Sequence, residues 1–194
     1  MEDEKNLEEI TPEIRLAEET DGPSILELQR VNLAENVSEE KKKTRGFVSV
    51  RCTPELLNKI ILQEKITVAT VGEKLAGYLM PMTVEHAATI PLLDPFLEKV
   101  RILQFEGKQI HEYRYCIIGQ VCVDEEFSGK GIAGKLYAEL KTRLASQYDL
   151  GISEVGSNNP NSLHVHLDKI GLQDVETYSA DGRDWHIVIL DFRK

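Results

Sequence analysis

The chain has 194 residues, 41% hydrophobic and 29% charged, with 33 Asp and Glu against 23 Lys and Arg and a formal net charge of −10. That is one ordinary domain with enough apolar residues for a core, so bulk disorder is excluded. The acidic balance argues against nucleic acid as partner, since phosphate backbones seek basic surfaces, and no apolar run reaches the ~18–20 residues of a membrane span. The opening Met1-Glu2-Asp3-Glu4-Lys5 is acidic where a secretory signal is basic and then apolar. Cys52, Cys116 and Cys122 are odd in number and lack CxxC spacing, which argues against a disulfide framework or a zinc site. A cytoplasmic protein without a metal is expected.

Residues 1–12 read as an acidic, frayed leader ending at Thr11-Pro12. Ile14 to Ala17 is a short strand. Asp21-Gly22-Pro23 starts a helix with Ile25 and Leu28 on its apolar stripe. Residues 36–46, with Glu39-Glu40 and Lys41-Lys42-Lys43, read as a solvated polar stretch. Thr53-Pro54 caps a second helix that faces Leu56, Leu57, Ile60 and Ile61 inward. Ile66–Val71 and Leu75–Met80 form a hairpin around Gly72-Glu73-Lys74. Residues 81–110 are an excursion over one face, with a helix near Pro95–Leu103. Tyr113–Val123 is a long strand whose Tyr113, Tyr115, Ile117, Val121 and Val123 share a face, and Gly119 marks a bulge. Ile132, Leu136, Leu140 and Leu144 recur every four residues, a helix signal. Ile152–Val155 is a strand, Asn158–Ser162 a turn and cap, and the short helix that follows ends at Gly171. A hairpin with an Asp181-Gly182 turn closes the chain. The order β-α-α-β-β-(insert)-β-α-β-α-β-β gives a mixed-sheet α/β domain.

The chemistry concentrates at Ser128-Gly129-Lys130-Gly131-Ile132-Ala133-Gly134-Lys135, between a strand and a helix. Helix-terminal amides bind phosphate, and glycines let it come close. Gly129-x-Gly131-x-x-Gly134 matches the dinucleotide pattern, with Glu154 about twenty residues on. The pattern needs its first glycine at the strand end, whereas Asp124 to Ser128 intervene, and no further βα units follow. Gly129-x-x-x-x-Gly134-Lys135 also matches a P-loop, but Leu136 stands where Ser or Thr should hold magnesium.

Val121-x-Val123, a polar turn and Gly129-x-Gly131-x-Ala133 opening an amphipathic helix resemble the acetyl-coenzyme A loop of the GNAT acetyltransferase superfamily, Arg/Gln-x-x-Gly-x-Gly/Ala. Gly131 and Ala133 match, and Ser128 stands in the Arg/Gln place. The element order over residues 13–192 matches too. The resemblance implies a mostly antiparallel mixed sheet, flanked by helices, in which two parallel strands splay apart. It implies a single acyl-coenzyme A N-acyltransferase domain over 13–194 with acetyl-coenzyme A as cosubstrate. Backbone of Val121, Cys122 and Val123 would meet the pantetheine arm, with an amide near Val121 or Cys122 facing the thioester oxygen. Ser128, Gly129, Lys130, Gly131, Ile132, Ala133 and Gly134 would meet the pyrophosphate, and Asn159 the cofactor.

The acceptor implied is an amine of a small molecule or peptide, under a cover formed by Pro91, Leu92, Leu93, Pro95 and Phe96. Glu154, on a strand lining the cleft, is the candidate base; Glu125 and Glu126 read as a solvated turn. The family often places a Tyr to protonate the departing thiolate. Counted from Asn159 and Ser162 that slot is His166; counted back from Gly171 it is Leu167. One extra residue lies between, absorbed by a π-bulge or a frayed end. His164, His166 and Asp168 could pass for metal ligands on a strand, but in a helix i and i+2 diverge. The family's homodimers are a further implied assembly, and a non-catalytic acyl-coenzyme A-binding module of the same fold is the alternative function.

Overall fold

The structure is a computed structural model that describes residues 11–194. The expected leader therefore lies outside the described residues except for Thr11 and Pro12, and Pro12 is already buried. The chain runs through β1 (Glu13–Leu16), α1 (Gly22–Asn32), α2 (Glu39–Lys42), α3 (Pro54–Glu64), β2 (Thr67–Val71), β3 (Lys74–Met82), α4 (Val84–Ala87) and α5 (Asp94–Ile102). A two-residue pair, β4 (Gln104–Phe105) and β5 (Lys108–Gln109), follows. Then come β6 (Tyr115–Val123), α6 (Ile132–Leu144), β7 (Leu150–Gly156), α7 (Pro160–His164), β8 (Gln173–Ala180) and β9 (Arg183–Asp191).

Seven strands form one sheet in the order β1-β2-β3-β6-β7-β9-β8. Every neighbouring pair is antiparallel except β6 with β7. This is the mixed sheet expected from the element order, and mostly antiparallel as the family resemblance implies. Helices cover both faces. On one, Ile25 and Leu28 of α1, Leu57, Ile60 and Ile61 of α3, and Phe96, Leu97 and Val100 of α5 are buried against the sheet. On the other lies α6, whose four-residue repeat Ile132, Leu136, Leu140, Leu144 is wholly buried. The capping chemistry is as expected: Thr53 accepts from the amide of Leu56, and Pro54 occupies the first turn of α3.

Two sequence expectations are corrected. The long strand does not keep one face. Its register against β3 slips at Met80/Pro81, so that Met80 opposes Gln120 while Pro81 opposes Ile118. Gly119 is the extra residue, a bulge that turns the later strand over. Ile117 packs in one core and Val121 and Val123 against the other. A Cβ at 119 would sit 1.9 Å from the Met82 methyl, so any larger residue there would require the Met82 side chain to move. The second correction concerns 36–46, which is not merely wet surface. Ser38 caps α2 by accepting from Lys41, and Lys41 and Arg45 reach across to Glu125.

Candidate active site

β6 and β7 share only three rungs, Tyr115↔Leu150, Cys116↔Gly151 and Ile117↔Ile152, although β6 runs on to Val123 and β7 to Gly156. Where the ladder stops, Ser153 Oγ donates to the Ile118 carbonyl at 2.8 Å. Beyond this tie the strands part. The amide of Asp124 donates to Ala76 on the β3 side, and the Cys122 carbonyl lies beside Gly77 of β3. Backbone direction alternates along a strand, so the amides and carbonyls of Val121 and Val123 face the gap left by β7. Cys122 therefore presents no backbone group to the gap, contrary to the sequence reading.

At the end of β6 a turn through Glu125–Phe127 leads to the glycine loop and α6. Gly131 is the N-cap of α6 with φ 75°, and it offers no side chain to the first-turn amides. Those amides lack carbonyl partners by the geometry of a helix end. A Cβ at Gly129, Gly131 or Gly134 would meet nothing within 4 Å. The glycines are thus not demanded by packing. At 131 the left-handed backbone requires one, and all three leave open space beside a helix N-terminus that attracts anions.

The gap and the loop open into one cleft of about 670 Å³, lined by Val121, Val123, Ser128, Gly129, Gly131 and Ala133 on one side and by Lys41, Arg45 and Phe47 on the other. A narrower cavity of about 80 Å³ adjoins it, lined by Val50, Leu92, Phe96, Glu154 and Trp185. The two meet at Phe47, Val48, Val121, Ser162 and His166. The family model for the acetyltransferase (GNAT) family matches residues 36–172, which hold most of the residues lining the cleft, the glycine loop among them. The chain belongs to that family.

It is accordingly an acyltransferase, and acetyl-coenzyme A is its acyl donor. The fold is shared with smu.2055 from Streptococcus mutans, at 17% identity and a TM-score of 0.63 over 93% of this chain and 99% of that one. It is shared with Salmonella typhimurium yncA, solved with its cofactor acetyl-CoA, at 14% identity and 0.61 over 93% and 94%. It is also shared with the ribosomal-protein-S18-alanine N-acetyltransferase from Escherichia coli, at 16% identity and 0.56 over 94% of each chain. No curated protein matches the sequence.

The residues present fit the GNAT donor. Asn159 is buried, its Nδ2 donates to the Phe47 carbonyl at 2.9 Å, and its Oδ1 has no partner among the described residues. Asn159 lines the narrower cavity and not the larger cleft, so a group entering the narrower cavity would satisfy that oxygen. Val121, Cys122, Val123, Ser128, Gly129, Gly131, Ile132, Ala133 and Gly134 all line the larger cavity. The Lys130 side chain does not; its ammonium lies 5.3 Å from the centre of the Phe127 ring.

Glu154 lies in the narrower cavity and accepts from the Tyr178 hydroxyl. Burial pushes its carboxyl up to about 7 from 4.5, and the Tyr178 hydrogen bond pulls the other way. Tyr178 sits on β8, on the far side of β9 from β7. Sequence reasoning missed it, because the pairing depends on strand order. His166 is buried, with Nδ1 2.7 Å from the Ser162 carbonyl and its ring edge-on to Tyr137. Nδ1 therefore carries the proton and Nε2 is an acceptor. Burial lowers its pKa, so the resting ring is neutral. His164 instead faces out and pairs with Asp168 at 2.7 Å. Between Val165 and Ile170 the helix is a π-helix ending at Gly171 with φ 86°. The extra residue counted in the sequence is taken up there.

Among the described residues no helix is long and apolar enough to cross a membrane, and no cluster of three or more His, Cys, Asp or Glu is placed to hold a metal.

Proposed function

We propose that this GNAT enzyme moves acetyl directly from acetyl-coenzyme A to a primary amine of a small molecule or peptide. The observation that carries this reading is the meeting of two cavities at Val121 and His166, one walled by the glycine loop, the other holding Glu154. Direct transfer is further supported by the cysteines. All three are buried, and burial pushes the Cys116 and Cys122 thiols up to about 12, so neither is a ready thiolate nucleophile. The Escherichia coli neighbour named above is an N-acetyltransferase of a protein alanine, which keeps a peptide amine among the acceptors.

In this reading the loop amides and the α6 N-terminus hold the pyrophosphate, and the Val121 and Val123 backbone receives the pantetheine arm as a neighbouring strand would. The Val121 amide is the candidate oxyanion donor. Glu154, at about 7, takes a proton from the incoming ammonium near neutral pH. His166 starts neutral at Nε2, takes the proton that the nitrogen sheds as the C–N bond forms, and returns it to the sulfur as the C–S bond breaks. A ring that burial keeps neutral at rest must collect a proton before it can give one, which favours this relay. Leu92, Leu93 and Phe96 give the acceptor cavity apolar walls.

Calorimetry with acetyl-coenzyme A, then thiol release across amines and peptides with free or blocked N-termini, tests the reading. Binding, release with free amines, and intersecting initial-rate lines are expected. No release with any amine, or parallel lines with an acetylated cysteine, would overturn it.

A further inference from the structure

The glycine loop supplies amides but few cations. Position 128, where the family pattern has Arg or Gln, is Ser, and it is exposed. Lys130 is drawn onto the Phe127 ring, and Lys74, on the other approach to that ring, is tied to Glu126 at 2.5 Å. Neither ammonium lines the cleft.

Charge comes instead from another segment. Lys41 and Arg45 stand four residues apart, after α1, and both line the cleft. Both converge on one carboxylate: Lys41 Nζ is 2.9 Å from each Glu125 oxygen, and Arg45 donates to Glu125 at 2.5 Å. Two cations against one anion leave an excess of positive charge at the cleft. The Arg45 side chain is only 16% exposed, and its Nε is buried without a partner among the described residues. A guanidinium so placed still has a donor to give. A further cavity of about 350 Å³, lined by Asn36, Val37 and Asp124, shares Asn32, Lys41, Arg45 and Glu125 with the cleft, so Glu125 borders open space on both sides.

We propose that Lys41 and Arg45 are the phosphate-binding cations for the acyl donor, replacing the side chain lacking at position 128, and that Glu125 is an internal anion which the donor's phosphates displace. This rests on the acetyl-coenzyme A reading above. Guanidinium groups match phosphate with paired hydrogen bonds, and a pyrophosphate with its two negative charges outcompetes a single carboxylate for the same two cations.

The test is calorimetric, with acetyl-coenzyme A and with S-acetylpantetheine, which lacks the phosphates. Arg45→Gln is expected to weaken acetyl-coenzyme A about tenfold or more and Lys41→Gln a few-fold. Glu125→Gln, by removing the competing anion, is expected to tighten it a few-fold. S-acetylpantetheine should bind all four proteins alike. Arg45→Lys should keep most of the affinity, and Ser128→Arg should restore part of what Arg45→Gln loses. Melting curves identify any variant that fails to fold; for such a variant the salt dependence of wild-type affinity stands in, and it should be steep. If wild type binds acetyl-coenzyme A but the Arg45 and Lys41 variants match it, the proposal is wrong while the donor reading stands. Weaker binding by Glu125→Gln would make Glu125 a strut and overturn its role as a displaced anion. No binding by folded wild type would remove the donor reading itself.

Discussion

The proposed donor end of the cleft is built mainly on backbone from one stretch, residues 121–134, with Lys41 and Arg45 beside it, while the proposed acceptor end is assembled from side chains on β7, β9, the 47–50 segment and α5. The donor end works through the free amides of one helix start and the unpaired edge of one strand. Both follow from local geometry and need only glycine where bulk would intrude. The acceptor end depends on Glu154 being desolvated by neighbours distant in sequence. The first should be fragile to added bulk and charge; the second should respond to changes of proton affinity.

The largest effect is expected at the donor end. Gly131→Asp puts a carboxylate at the N-terminus of α6, at a backbone φ of 75°. Losing two or more charge-assisted hydrogen bonds of ~1.5–3 kcal/mol each should weaken acetyl-coenzyme A by ~10²-fold or more. Calorimetry on the folded variant checks it, and unchanged affinity would break the division between the two ends.

At the acceptor end, Glu154→Gln should cut kcat by ~10²–10⁴-fold with donor affinity unchanged, as loss of a general base does. The same variant should be more stable at high pH. The folded carboxyl sits at about 7 against 4.5, so through this window the folded form keeps a proton that the unfolded chain has lost. Stability then falls as pH rises from 4.5 to 7. Removing that burden should stabilise the protein by on the order of 2–3 kcal/mol at about pH 8, and by little below about pH 4. Melting curves at the two pH values would show a flat difference if Glu154 were not desolvated.

His166→Ala should lower kcat by ~10²-fold where chemistry limits the rate, while acetyl-coenzyme A affinity changes little. A rate equal to wild type at every pH would leave solvent to protonate the thiolate.

Tyr178→Phe should act more gently. Its hydroxyl stabilises the ionised Glu154, so its loss raises the carboxyl further. The acidic limb of kcat/KM should move to higher pH by about one unit, with no change in donor binding. A limb that stays in place would assign the base elsewhere.

The smallest effect separates packing from ligand approach. Gly134→Ala meets open space and favours the helix by up to ~1 kcal/mol, so Tm should rise by about 2–4 °C. Donor affinity should nevertheless fall, less than about tenfold, because the methyl enters the cleft. A rise in both would free Gly134 from the site.

Much of the fold was legible. The Leu136, Leu140, Leu144 repeat, the Thr53-Pro54 cap and the Asp181-Gly182 turn are local signals, each read by a few adjacent residues. The glycine loop was legible for the same reason, since a helix start and its phosphate chemistry share one segment. Gly119 was read as a bulge, but its consequence was not, because a bulge reverses the faces only relative to a neighbouring strand. Glu154 was found from its strand, while Tyr178 and the Glu125 cluster were not. A charge run such as 39–43 looks like solvent-facing surface until something across the cleft is known to meet it.

By itself, then, the sequence determined the elements, their order and the glycine loop at a helix start, because hydrogen-bond geometry and apolar periodicity act over a few residues. Only the tertiary structure decided which groups lose water together. The proton affinity of Glu154, the neutral ring of His166 and the pairing of Lys41 and Arg45 with Glu125 all depend on neighbours brought in from 24 residues away, as with Tyr178, to more than 80, as with Lys41. Desolvation and charge pairing are properties of a place in space, and that place exists only once the sheet has closed around it.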